Sequence, residues 1–213
     1  MISINRNEYE IFLYIVLILA QISCKEKSGE IIPMQEISGK LDRLLNLPQD
    51  SVLDSYDLSN DFLLKFPDLS AYTIRSLNLS HNYLDTVIID YWPKGLERLN
   101  LSYNYITKFP SSDSSIYLKE LNLSHNYIEE FGPYFFIDRL DLSFNRLVYI
   151  FFYWSYYHYY RNKKLPKNMS YLNISNNPDL NNKVMFVPFM VDTIIHENIA
   201  NKKKIQMIDW MFH

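Results

Sequence analysis

An eight-residue motif recurs along the middle of the chain and restricts the possible folds more than any other feature. Its close copies share a leucine-rich start, a serine and an asparagine: Leu77–Leu84, Leu99–Ile106, Leu121–Ile128 and Leu140–Leu147. Degenerate copies flank these four, at Tyr56–Leu63 and Leu172–Asp179. Most successive copies lie about 20 residues apart, which is typical of a repeat protein whose units stack on their neighbours.

The apolar positions stay in phase beyond the motif. Within each copy, the leucine alternation predicts a short β-strand with both leucines on one face. An apolar residue also stands three positions before each copy, namely Leu53, Ile74, Leu96, Leu118, Ile137 and Met169. Another stands five positions after the asparagine position in five copies, namely Phe66, Val87, Phe109, Phe131 and Ile150. No single repeat buries such a face alone, so stacking predicts one continuous core.

Residues 53–180 resemble the leucine-rich repeat family, whose pattern is LxxLxLxxNxL at about 20–29 residues per unit. The resemblance implies an α/β solenoid with parallel β-strands on its concave face. Its convex side is expected to be irregular or 3-10 helical. We assign residues 51–180 to about six such repeats, with an aromatic insertion at 149–165.

Both ends of a solenoid need a cover, because terminal repeats expose an apolar face. Residues 34–48 carry Ile37, Leu41, Leu44 and Leu45 at helical spacing and predict an amphipathic cap helix. This helix falls within a linker and cap region at 24–50. Residues 181–213 are predicted to be a C-terminal cap, in which Ile205 and Met207 could form a last edge strand.

An asparagine stands where each predicted strand turns away from the sheet. We call these residues the asparagine ladder: Asn82, Asn104, Asn126, Asn145 and Asn177. A buried amide can donate and accept, so it can satisfy backbone groups that the turn leaves unpaired. The first copy has Asp61 at this position, and an ionised carboxylate only accepts, so we expect a looser first repeat. Turns built on asparagine also suit a chain with 4 glycines.

Two columns of side chains differ between repeats and are the candidate partner-binding residues. The turn column precedes the asparagine ladder in sequence and comprises His81, Tyr103, His125 and Phe144. The strand column precedes the first leucine of the motif and comprises Arg98, Glu120, Arg139 and Tyr171. Variation on a regular, solvent-facing sheet can specify a partner, so we expect both columns on the concave face.

Alternatives to a binding role remain for these columns. They could form a solvated surface without a partner, or lie on a convex or lateral face. The charges of Arg98, Glu120 and Arg139 could instead pair with one another across strands. The neighbouring columns, which hold serine in every copy and Asn or Asp in every copy, are interpreted as scaffold.

Aromatic residues form two further features. Tyr83, Tyr105 and Tyr127, which we call the tyrosine column, follow the asparagine ladder and are expected to stack on one another. Residues 149–160 contain nine Phe, Tyr or Trp residues among twelve. This segment could pack against the convex side of its own repeat. It could also contact a protein partner or lipid headgroups, where Tyr, Trp and Lys are favoured.

The N-terminus resembles a bacterial lipoprotein signal peptide. Residues 11–20 are apolar and uncharged, too few for the roughly 20 that span a bilayer but suited to a signal sequence. They are followed by Ser23 and Cys24, although Gln21 departs from the apolar residue usual in that family. The resemblance implies that residues 1–23 are removed and that Cys24 is acylated. Secretion, a signal anchor, and an apolar run without targeting meaning are the alternatives.

Composition excludes several classes of site. A single cysteine rules out an intramolecular disulfide or a cysteine-cluster metal site. A net charge of −3 gives no basic surface for nucleic acid. His81 and His125 lie on strands two apart and have no evident third ligand, so we predict no metal site and no cofactor. The acids, serines and histidines form no recognisable catalytic arrangement.

These features together predict a non-enzymatic, protein-binding module. We expect a surface lipoprotein, held at a bacterial membrane surface or extracellular, that recognises a protein partner, less plausibly a glycan, through its concave face. The alternative is an intracellular, cytoplasmic scaffold or regulatory subunit, a common use of leucine-rich repeats. Because fold-level analogy supports both, a partner must be argued from the site itself.

Overall fold

The structure is a computed structural model that describes residues 39–110, 116–132, 136–150, 169–180 and 191–195. The described elements all lie in a compact unit that begins at Lys40. The predicted signal peptide, Cys24 and residues 34–38 of the predicted cap helix lie outside the described residues. So do residues 151–168, which include most of the aromatic insertion, and the segment around Ile205.

Each repeat contributes a short strand to one common sheet, and two repeats contain a second short strand. Their bounds are Val52–Asp57 (β1), Thr73–Asn78 (β2), Arg98–Asn100 (β3), Tyr117–Asn122 (β4), Glu130–Phe131 (β5), Phe136–Asp141 (β6), Tyr149–Ile150 (β7), Tyr171–Asn173 (β8) and Ile194–Ile195 (β9). Seven of them form one sheet in the order β1-β2-β3-β4-β6-β8-β9, while β5 pairs with β7 in a second sheet. Every pairing between these strands is parallel. The predicted parallel solenoid is thereby confirmed.

The strands pair in the register that the sequence motif predicts. The first leucine of the motif aligns across five strands, as Leu77, Leu99, Leu121, Leu140 and Leu172. All five are buried, with at most 1% of their surface exposed. The apolar residues three positions before each motif and five after the asparagine position also lie in the core, with Leu53 partly buried. Stacking therefore produces the continuous apolar core that no repeat could form alone.

One short helix, α1, precedes the sheet and spans Lys40–Leu45. Leu44 is fully buried and Leu41 partly buried against the core, whereas Leu45 is half exposed. Within the described residues, the helix is thus much shorter than the 34–48 segment that helical spacing predicts. A 3-10 helix at Ile89–Tyr91 lies in the connection after β2. In the described part of the chain, no helix combines the length and apolar character needed to cross a membrane.

Asp61 determines where α1 begins. Its two carboxylate oxygens accept hydrogen bonds from the backbone amides of Lys40 at 2.6 Å and Leu41 at 2.8 Å. The first amides of a helix lack intrahelical partners, so an acceptor at this point stabilises the helix start. A carboxylate, which only accepts hydrogen bonds, therefore suits this position, where two backbone amides donate to it. The looser first repeat expected from Asp61 is not seen in this hydrogen bonding.

The sheet continues further than the sequence motif does. Ile194 and Ile195 pair with Leu172 and Asn173 of β8, so a seventh strand lies within residues 181–213. A last edge strand in this segment was predicted at Ile205 and Met207, which lie outside the described residues, whereas the strand that the structure describes lies at Ile194–Ile195. At the predicted aromatic insertion, Tyr149 and Ile150 pair with β5 and belong to the regular repeat. These two residues of the predicted insertion are therefore part of a strand, and residues 151–165 lie outside the described residues.

Candidate functional site

Each strand of the motif ends in the same turn. The side-chain oxygen of Asn78 accepts a hydrogen bond from the amide of Ser80 at 3.1 Å, and the equivalent Asn or Asp does so in the other repeats. The residue after each serine has a positive φ between 53° and 56°, at Asn60, His81, Tyr103, His125, Phe144 and Asn176. Non-glycine residues adopt this left-handed conformation uncommonly. The turn column therefore lies just past the strands rather than within them.

The four side chains of the turn column stack face to face. Ring centroids are 4.3 Å apart from His81 to Tyr103, 4.1 Å from Tyr103 to His125 and 4.2 Å from His125 to Phe144. The ring planes differ by 9° to 10°. Tyr103 and Phe144 remain 46% and 47% exposed. Because the inner faces cover one another, the exposed surface of the column consists mainly of ring edges.

The tyrosine column runs beside the turn column. Tyr83 stacks on Tyr105 at 5.9 Å, and Tyr105 stacks on Tyr127 at 5.8 Å. Phe62 extends the stack at one end, 6.4 Å from Tyr83. At the other end the guanidinium of Arg146 lies 4.5 Å from the Tyr127 ring centroid. The predicted stacking of these tyrosines is confirmed.

A groove of about 540 Å³ lies between the two aromatic columns. We use the word groove for the space lined by Asn60, His81, Asn82, Tyr83, Tyr103, Asn104, Tyr105, His125, Asn126, Tyr127 and Phe144. Its lining contains no Lys, Arg, Asp or Glu. Asn82, Asn104 and Asn126 are at most 5% exposed and form its floor.

The asparagine ladder links each repeat to the one before it. The Asn104 amide nitrogen donates to the carbonyl oxygens of Leu79 and Leu101, both at 3.0 Å. Its side-chain oxygen accepts from the amide of Leu84 at 3.1 Å. The other ladder residues make equivalent bonds: Asn82, Asn126, Asn145 and Asn177. These amides are thus engaged with the backbone and hold the turns on which the turn column stands.

The strand column forms a second exposed strip. Arg98, Glu120, Arg139 and Tyr171 align across β3, β4, β6 and β8. The Arg139 guanidinium lies 4.8 Å from the Tyr171 ring centroid. Among the described residues, no ion pair joins Arg98, Glu120 and Arg139, so the alternative of self-pairing is not observed there.

Two ion pairs lie instead one residue earlier than the strand column, at positions that the sequence pattern had not singled out. Arg75 pairs with Asp54 at 2.9 Å, and Lys119 pairs with Glu97 at 2.7 Å. Opposite charges one repeat apart were the signal that could have revealed these pairs. They leave the charges of the strand column facing solvent.

Several ionisable groups near the turns have shifted pKa values. Burial lowers the pKa of His125, and His81 adds to this effect, while Asp141 opposes it. This shift favours the uncharged imidazole at neutral pH. Burial also raises the pKa of the Tyr171 hydroxyl, with Asp141 adding to the effect.

The two histidines are held apart by the ring between them. His81 and His125 each stack on opposite faces of Tyr103, with centroids 4.3 and 4.1 Å from it. Within the ranges that the structure describes, no group of three or more His, Cys, Asp or Glu is arranged to hold a metal ion. The stacked geometry suits packing and contact rather than joint coordination of one ion.

Comparison with known proteins agrees with this geometry. The sequence model of the Leucine Rich Repeat family matches residues 73–94, 95–115 and 117–138. Comparisons with curated proteins and with solved structures gave no significant match. The matched segments contain β2, β3, β4 and β5 and the first three residues of β6. Residues 73–138 therefore contain repeats that match the Leucine Rich Repeat family.

Proposed function

We propose that the chain is a non-enzymatic protein-binding module whose contact surface combines the turn column and the strand column. Leucine-rich repeats are a protein-interaction architecture, and their stacked repeats create extended binding surfaces. The observation that carries the proposal is that these two exposed columns run in parallel and share three successive repeats. Their side chains differ from repeat to repeat, while the columns between them are constant. A surface of this kind can specify a partner.

The spacing of the rings supports a concave location for the turn column. Neighbouring strands of a sheet lie about 4.8 Å apart. The rings of the turn column are closer than this, at 4.1 to 4.3 Å, whereas those of the tyrosine column are farther apart, at 5.8 and 5.9 Å. A stack that curves toward the turn column accounts for both values.

The chemistry of the two columns suits a protein surface. Aromatic and arginine side chains are enriched at the centre of protein interfaces. Tyr103 and Phe144 offer exposed ring edges, while Arg98 and Arg139 offer cations without a carboxylate partner in the described part of the chain. We infer a partner with an acidic patch beside an apolar or carbonyl-rich surface.

Affinity capture from source cells with the full-length chain tests this proposal. Tyr103→Ala and Arg139→Glu should each reduce capture of a specific protein by at least about tenfold. Lys65→Glu is a matched control, because it makes the same charge change at an exposed residue outside both columns. Equal capture by all variants, or no specific protein with the unaltered chain, would contradict the proposal.

We also propose that acylated Cys24 holds the module at a bacterial membrane surface. The support is the apolar run at 11–20 followed by Ser23, Cys24 and a charged segment. Two or more acyl chains give stable anchoring, whereas one does not. Metabolic labelling with a fatty-acid analogue in bacterial cells should label the chain, and Cys24→Ala should abolish the label. Unlabelled chain in the soluble fraction would favour the intracellular scaffold.

A further inference from the structure

The walls of the groove present one kind of electrostatic surface. The faces of stacked rings are covered by their neighbours, so the turn column offers its ring edges to the groove. Aromatic edges carry partial positive charge. The Tyr103 hydroxyl and the imidazoles of His81 and His125 add N–H and O–H groups, and within the described residues they have no hydrogen-bond partner. The groove therefore has no Lys, Arg, Asp or Glu in its lining, and its positive ring edges and its N–H and O–H donors can face hydrogen-bond acceptors of a ligand.

The backbone of the groove offers little to an incoming chain. The amides of His81, Tyr103 and His125 donate at 3.0 Å to Ser102, Ser124 and Ser143 of the next repeats. The floor amides of the asparagine ladder are bonded to the backbone as well. An occupant cannot extend the sheet here, so side chains must recognise it. The ligand that suits this groove best exposes hydrogen-bond acceptors and has few hydrogen-bond donors that need a partner.

Polyproline II peptides have these properties. This helix has no internal hydrogen bonds, so its carbonyl oxygens point outward. Proline has no amide hydrogen, so no backbone donor is left without a partner in the groove. Aromatic-lined grooves that bind such helices are a recurring solution in peptide recognition. Positive ring edges facing carbonyl oxygens give the charge complementarity.

The spacing of the groove also matches this helix. Two repeats span about 8.4 Å along the turn column, from His81 to His125, and about 11.7 Å along the tyrosine column, from Tyr83 to Tyr127. The groove between the two columns therefore repeats at a distance within this range. One turn of polyproline II has 3 residues and advances about 9.3 Å. A peptide lying along the groove therefore meets the same type of side chain once per turn. From Asn60 to Phe144 the groove crosses five repeats, or roughly 19 Å, which accommodates about six residues.

We propose that the groove between the turn column and the tyrosine column binds a proline-rich segment in the polyproline II conformation. Carbonyl oxygens of the peptide face Tyr103 and the two imidazoles, and proline rings pack against the ring edges. This inference rests on the proposed function, because it names the class of peptide that the turn column recognises. A neutral glycan suits the groove less well, since sugar rings pack on open aromatic faces and both columns cover most of theirs.

Calorimetric titration of the full-length chain with blocked decaproline at pH 7.5 tests the inference. Saturable binding is expected, together with no binding of a blocked Gly-Ser decapeptide. Tyr103→Ala should weaken decaproline binding at least about tenfold. Tyr103→Phe keeps the ring stack and removes only the hydroxyl, so it should weaken binding while the melting temperature is retained. Lys65→Ala, at an exposed residue outside the groove and outside both columns, should change affinity less than about twofold.

Three results would overturn the inference: no saturable decaproline binding, equal binding of the Gly-Ser peptide, or Tyr103-dependent binding of cellohexaose in place of decaproline. If decaproline fails while Arg139 still controls capture of a protein, only this inference is wrong. If no protein is captured at all, the proposed function fails independently. The two conclusions are therefore tested separately.

Discussion

The imidazole of His125 lies face to face on the ring of Tyr103, with 4.1 Å between centroids and 10° between planes. Phe144 covers the other face of the same imidazole at 4.2 Å. Aromatic pairs stabilise proteins by about 0.5–1.5 kcal/mol beyond the area they bury. Seven non-glycine residues in the described part of the chain have a positive φ, six of them at the turn-column position or its counterparts in the flanking repeats. Stacking of the rings thus offsets part of the backbone strain in the left-handed turns that bring the rings together.

We expect His125 to titrate below the usual histidine pKa of about 6.5, because burial disfavours its charged form. The unfolded chain then binds the proton more tightly than the folded chain. The stabilisation contributed by the neutral His125 imidazole is therefore present above about pH 6.5. It decreases as the pH falls toward the lowered pKa of the folded state. Denaturant unfolding at pH 7.5 and 5.5, with NMR titration of the imidazole, measures the effect.

His125→Phe provides the control for this prediction. Phe144 already adopts the same backbone conformation in the next repeat, so a phenyl ring fits the position. The variant should lose the part of the pH dependence that His125 contributes. A His125 pKa at or above the ordinary value would show that the stack does not desolvate the imidazole.

Asn104→Ala should lower the free energy of unfolding by roughly 1–3 kcal/mol, because it leaves buried backbone groups of Leu79, Leu101 and Leu84 without their partner. Equilibrium unfolding in urea measures the change. Lys65→Ala, at an exposed residue without a positive φ, is the comparison and should cost much less. If the two variants unfolded at the same urea concentration, the ladder would not have the structural role inferred for it.

Asp61→Ala should destabilise the start of α1 by about 1 kcal/mol, because the amides of Lys40 and Leu41 lose their acceptors. Hydrogen exchange measured by NMR should show faster exchange at Leu41. Asp61→Asn keeps one acceptor oxygen and should have an intermediate effect. Unchanged protection of Leu41 in both variants would mean that another group fixes the helix start.

The Asp57 carboxylate gives a test at low pH. Burial opposes its ionisation, but hydrogen bonds from Lys40 and Ser59 outweigh this and lower its pKa to about 2. Because the folded-state pKa lies below the unfolded value of about 3.9, the stabilisation is present above pH 4 and decreases as the pH falls toward 2. NMR titration of the side-chain carboxyl gives the value directly.

Lys40→Met is the companion variant for Asp57. The Lys40 ammonium donates to the carboxylate at 2.9 Å, so its removal should raise the Asp57 pKa toward the ordinary range. The melting temperature of this variant should depend less on pH between 4 and 2. A carboxyl pKa that does not respond to the loss of Lys40 would assign the shift to the serine alone.

The columns of buried leucines could be predicted from the sequence because their spacing is periodic. Leu77, Leu99 and Leu121 recur at a fixed interval, and a stacked strand is the arrangement that buries them together. The left-handed backbone of His81, Tyr103 and Phe144 could not be predicted in this way. Local propensity disfavours it for these residue types, and bonds to the next repeat impose it.

Features that depend on distant contacts were also missed. The start of α1 at Lys40 is set by Asp61, 21 residues along the chain. The strand at Ile194–Ile195 has no motif around it and is defined only by pairing with β8. In both places the local sequence pattern is weak, and the position of a neighbouring repeat determines the conformation.

The direction of the asparagine ladder has a consequence for the order in which the repeats fold during synthesis. The Leu84 amide is satisfied by Asn104 and the Ile106 amide by Asn126, each 20 residues later. During translation, the amide of each turn therefore has no acceptor until the asparagine of the next repeat has left the ribosome. We expect the solenoid to consolidate from its amino end, one repeat behind synthesis, with its newest turn always incomplete.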